Sequence, residues 1–136
     1  VPGSDPTHWL HRLSADEWLA AADTELRHCR ATLERRAFRP GVTHARRAAG
    51  MALNAVLVLR DDPRLGRSYL DHLVALSTDT EVAEDVRDAA RTLRETQPAP
   101  PALITLGKPD LGPWQHAQRI VAYGRQRVEA LRAPVS

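Results

Sequence analysis

"ARRAAGMALNAVLVL", Ala45 to Leu59, is the stretch that decides the fold. Ala45, Ala48, Ala49, Ala52 and Ala55 recur at three- and four-residue steps, with Leu53, Val56 and Leu59 beside them. That spacing puts the smallest side chains on one helical face. A stripe of alanines lets a neighbouring helix come close, so the pattern predicts a central helix from about Val42 to Leu59. Asn54 lies inside it and needs a polar partner if it is buried.

Working outward, the same periodicity continues on both sides. Ser14 and Glu17 form the Ser-x-x-Glu of a capping box. Trp18, Ala22, Leu26, Cys29 and Leu33 follow on one face, which predicts a first helix over 15–37 ended by Pro40-Gly41. Before it, Asp5-Pro6 is expected to turn the chain so that Trp9 and Leu10 fold back on the bundle. "DDPRLG" breaks the central helix, and a short helix over 69–76 begins after Ser68, with Asp71 as the acid of its cap. Thr78 and Glu81 read as a further capping box for a helix over 79–95 with Val86, Ala89, Ala90 and Leu93 inward. The prolines of 96–112 forbid a continuous helix there. Pro113 opens a last helix over 113–131, where Gly124 implies close packing. The expectation is one domain over 1–136, all-α, an antiparallel four- to five-helix bundle.

Composition agrees with this and removes several function classes. Aromatic residues are only 4% and apolar residues 43%, a mix that suits a helix bundle better than a sheet. A single cysteine, Cys29, excludes an internal disulfide, thiolate zinc sites and paired-cysteine redox motifs. It falls on an apolar helix face, where a structural thiol is expected. No apolar run approaches the roughly 20 residues of a membrane span, and no signal peptide is visible, so a cytoplasmic protein is the expectation. Glycines are scattered singly, with no phosphate-cradling loop and no Gly-x-Ser-x-Gly. Cofactors are expected to be none. Glu25 and His28 form a Glu-x-x-His pair, the unit that di-iron bundles use in duplicate. It is the only such pair, and Ala45 to Leu59 offers no carboxylate to face it, so the metal expectation is also none.

Charge is unevenly spread. Seven arginines and one acid lie between Arg27 and Arg47, whereas Asp79 to Glu95 holds six acids and three arginines. Nearly all positive charge is arginine, as a high-GC genome would encode it. Arg35, Arg36, Arg39, Arg46 and Arg47 flank the "RPG" turn and are expected to crowd one end of the bundle. They form a candidate surface for an acidic protein or another anionic ligand. No aromatic residue interleaves them, which argues against nucleic acid.

"RSYLDH", Arg67 to His72, has the Arg-x4-His spacing of one class of metal-independent RNA-cleaving sites. With four to six intervening residues allowed, six histidines and eighteen arginines give about two such pairs by chance, and the chain has two, the other being Arg39 and His44. The spacing alone therefore says nothing.

The succession "WLAAADTELRHCRATLERRAF", "ARRAAGMALNAVLVL", "GRSYLDHLVAL" and "VAEDVRDAARTL" resembles the HEPN family, the higher eukaryotes and prokaryotes nucleotide-binding domain. Ala48, Ala49, Ala52, Leu53 and Ala55 match the pattern of its second helix. Gly50, Met51 and Asn54 stand where the family often has Glu, Lys and Lys. The resemblance covers about Trp18 to Leu93, with Trp114 to Leu131 in the place of the last helix. It implies a helical bundle, commonly a homodimer, that either cleaves RNA or binds nucleotides, partners or ligands. In cleaving members the Arg…His motif lies at the junction into the last helix, and here that junction holds neither residue. The leading expectation is a non-catalytic module that binds a partner protein or a phosphate-bearing ligand. Its rival is a ribonuclease with His72 as general base and Arg67 stabilising the phosphorane charge. A plain helical scaffold is the third reading, although no period of roughly 34 residues is present.

Overall fold

A computed structural model describes residues 9–97 and 108–134. The expected Asp5-Pro6 turn and most of the loop over 96–112 lie outside the described residues. Among those described there are five α-helices, α1 (Ala15–Glu34), α2 (Phe38–Leu59), α3 (Tyr69–Thr78), α4 (Glu84–Glu95) and α5 (Gly112–Arg132), and no strand.

Helix α1 starts as its capping box predicts. The Glu17 amide donates to Ser14 Oγ at 3.1 Å and the Ser14 amide donates to Glu17 Oε1 at 2.9 Å. Its end differs from the expected one. The helix stops at Glu34, and Arg36 takes a φ of 65°, in the left-handed region where glycine is usual. The Arg36 amide then reaches Leu33 O and the Ala37 amide reaches Thr32 O, which satisfies two orphan carbonyls of the last turn. Pro40 and Gly41 do not break the chain. They lie in the first turn of α2, where a missing N–H costs nothing and the open Cα lets Leu33 pack against the backbone.

Helix α2 is the axis of the molecule and touches each of the other four. Its alanines 45, 48, 49, 52 and 55 are all fully buried. Gly124 of α5 crosses at Ala52 so closely that a Cβ on it would lie 3.0 Å from the Ala52 Cβ. The alanine stripe is thus consumed by packing within the chain and leaves no alanine face for a second copy. Arg132 pairs with Asp16 and Arg125 with Asp23, which fixes α5 antiparallel to α1. Both pairs are well exposed, so they set direction more than stability.

The join between α3 and α4 also differs from expectation. Thr78 closes α3, its hydroxyl donating to the carbonyls of Val74 and Ala75. It is therefore unable to cap α4, which begins at Glu84 after Ala83. Asp79 takes the Glu81 amide inside the intervening turn. Back-bonding to the preceding helix won over capping the next one.

Helix α3 docks on α2 at the positions where the chain departs from the pattern of the resemblance. Gly50 makes a notch for the Tyr69 ring, and a Cβ there would lie 2.0 Å from Tyr69 Cδ1 and 2.8 Å from Tyr69 Cβ. A Gly50→Ala substitution gains about 1 kcal/mol of helix propensity but forces α3 outward, a strain of about 1–3 kcal/mol. Urea unfolding should show net destabilisation, and Tyr69→Ala in the same chain should recover part of it. A more stable Gly50→Ala protein would contradict this packing.

Candidate functional site

The segment "RSYLDH" forms the start of α3. Ser68 accepts the Asp71 amide and Asp71 accepts the Ser68 amide, which closes a capping box. Tyr69 is half-buried, and Arg67 stays exposed in the preceding bend. His72, one turn in, is fully buried. Its Nδ1–H donates to the Leu65 carbonyl at 2.5 Å, and the Asn54 amide group lies 2.8 Å from Nε2. Burial pushes the imidazole below its ordinary value, against the smaller opposing effects of the Leu65 bond and Asp71, so the ring is neutral. A neutral ring with its proton on Nδ1 offers only a lone pair at Nε2. As placed, Asn54 Oδ1 is the atom nearest Nε2, and Nδ2 has no partner among the described residues. Because Nε2 of such a ring accepts, we assign the amide with its oxygen and nitrogen exchanged, NH2 toward His72.

Both ring nitrogens are committed to the fold, so His72 has none to offer an RNA 2′-hydroxyl. Arg67 and His72 do not share a cleft. The buried partner that Asn54 needed is supplied, and it is this histidine.

The five arginines proposed from the sequence do not form one patch. Arg46 turns beneath the end of α4, where Nε donates to Leu93 O at 3.1 Å and Nη2 donates to Arg94 O at 3.1 Å and Thr96 O at 2.7 Å. The last carbonyls of a helix have no partners of their own, and a planar guanidinium reaches three of them at once. Arg47 contacts Glu25 Oε1 at 3.3 Å across the α1–α2 interface. Arg35, Arg36 and Arg39 remain as exposed residues around the turn itself. The expectation of a single crowded end fails because α2 begins before Arg39. Arg46 and Arg47 therefore stand about two turns along the helix.

A feature that sequence reasoning missed is a cleft of about 980 Å3 between α2, α3, α5 and the turn over 60–66. Its floor is apolar, from Leu53, Val56, Leu76 and Val82. Asp61, Asp62, Asp71, Asp79 and Glu81 outnumber Arg60, Arg64 and Arg127 around it, and Arg64 is already held by both oxygens of Asp62. Tyr123 of α5 adds a phenol whose proton burial helps retain. The only hint in the sequence was "DDPRLG", because the space arises from a short α3 that covers part of α2. Cys29 is a structural thiol as expected. It is buried, donates to Gly41 O, and burial pushes it up to about 12.

Comparison with known protein families, curated proteins and solved structures finds no match to this chain. The geometry therefore carries the functional argument.

If Arg46 is a helix cap, Arg46→Ala should cost about 1–3 kcal/mol in urea unfolding, the range for charged hydrogen bonds to carbonyls. Arg39→Ala, at an exposed position, should stay within about 0.5 kcal/mol. Equal effects would return Arg46 to the surface cluster.

Proposed function

We propose that this chain is a HEPN-like helical module that acts by binding a protein partner and does not cleave RNA. One observation carries the reading: His72, the general base of the rival ribonuclease reading, is sealed, with both nitrogens engaged. A general base must reach the proton it removes, and here α2 and α3 stand in the way.

The cleft supports a protein segment over a phosphate-bearing ligand. Its apolar floor and exposed Val74 suit aliphatic side chains, and its carboxylate-rich rim repels phosphate while attracting lysine or arginine. A helix with leucines on one face and basic residues at its border matches that chemistry. The α1–α2 turn, with Arg35, Arg36 and Arg39, is the complementary place for an acidic contact. A homodimer, which the resemblance implies, would have to form on a face other than the alanine stripe.

The test has two arms. Purified protein without metal should leave a labelled single-stranded RNA intact, and Arg67→Ala should change nothing. A fluorescein-labelled Leu/Lys amphipathic peptide should bind, and the charge reversal Asp79→Lys with Glu81→Lys should weaken it by at least about tenfold, or 1.4 kcal/mol. Cleavage that Arg67→Ala abolishes would overturn the proposal. Undiminished peptide binding by the double variant would remove the cleft from it.

A further inference from the structure

The Glu-x-x-His pair of α1 gains a third member in space. Glu25 and His28 are three residues apart and so share a face of the helix. That face meets α2 at His44, and one ligand atom from each of Glu25, His28 and His44 falls within 4.8 Å of the others. His44 Nδ1–H donates to Glu25 Oε2 at 2.6 Å, and the two imidazoles stand edge to face with centroids 5.5 Å apart. Arg47 holds the other carboxylate oxygen, which leaves Oε2 turned to the rings. The carboxylate is buried, His44 is partly covered and His28 is exposed, so the group runs from the interior to solvent.

We propose that Glu25, His28 and His44 bind one divalent first-row cation of the zinc class, with a further position open to water. The inference is independent of the cleft and departs from the expectation of no metal. Two imidazoles and a carboxylate are a donor set that zinc accepts, at roughly 2.0–2.2 Å per bond. Donors at a tetrahedral ion therefore stand about 3.4 Å apart, so the present spread must draw in by rotation of the His28 side chain, which is exposed and free to turn. When the ion enters, it replaces the hydrogen bond between His44 and Glu25. The proton leaves Nδ1, the lone pair of Nδ1 takes the metal, and the neutral ring carries its N–H on Nε2. The site is mononuclear, since α2 offers no second carboxylate between Ala45 and Leu59. Cys29, beside His28, is turned to the Gly41 carbonyl and takes no part.

Chelator-treated protein titrated with Zn2+ by calorimetry should take up one ion per chain with micromolar or tighter affinity. Co2+ should give the intense visible bands of a four- or five-coordinate site. His28→Ala changes an exposed side chain and should preserve the helical circular dichroism while weakening Zn2+ by at least about tenfold. His44→Ala should do the same, and His11→Ala, away from the group, should leave affinity unchanged. Zn2+ should also raise the melting temperature of the native sequence but not of His28→Ala. Millimolar binding, or equal affinity in the native, His28→Ala and His44→Ala proteins, would overturn the site.

Discussion

The arrangement depends on a neutral imidazole sealed between a carbonyl and an amide. His72 ties three segments at one point: α3 through its own backbone, the turn before it through Leu65, and α2 through Asn54. One turn earlier on α2, Gly50 receives Tyr69, so positions four apart on one helix meet the first turn of the next. A buried polar contact of this kind is costly to break and so favours one register, even with one atom of the Asn54 amide unpartnered among the described residues. Sliding α3 by one residue would strand the Asn54 amide in an apolar core. The register of α3 follows, and with it the position of Val74, Asp79 and the wall of the cleft.

That constraint also bears on the role the ribonuclease reading gave to His72. The same histidine cannot both lock α3 to α2 and accept a proton from a substrate at the surface. Arg46 repeats the lesson for the arginines. A cation that looks available for a partner is spent on the carbonyls at the end of α4. The proposed binding role therefore rests on other surfaces, namely the acid-rimmed cleft and the turn between α1 and α2.

Much of the helical layout was legible because it is encoded locally. The Ser14 and Ser68 caps, the alanine face of α2, the inward side of α4 and the close approach at Gly124 all rest on spacing within one element. What was not legible depends on contacts between elements or on competing local choices. Arg36 adopts a glycine-like conformation with no glycine to announce it. Thr78 has the composition of a cap for α4 but bonds back into α3. Asn54 clearly required a partner, yet nothing in the sequence identified His72, eighteen residues away. Glu25 and His28 were visible as a pair, whereas His44 joins them only through the α1–α2 hairpin. The cleft had no motif because it is an absence of covering helix.

The buried imidazole has a thermodynamic consequence with a definite sign. The unfolded chain protonates His72 below about 6.5, while burial keeps the folded ring neutral to lower pH. Its contribution to stability is therefore complete above that value and declines as pH falls toward the depressed one. The most direct measurement of the central claim is nitrogen-15 NMR of the His72 side chain, titrated from about pH 8 to about pH 5. The account predicts a neutral ring with its proton on Nδ1 and a midpoint below 6.5. A ring that carries its proton on Nε2, or that titrates at or above 6.5 like a histidine in water, would contradict it.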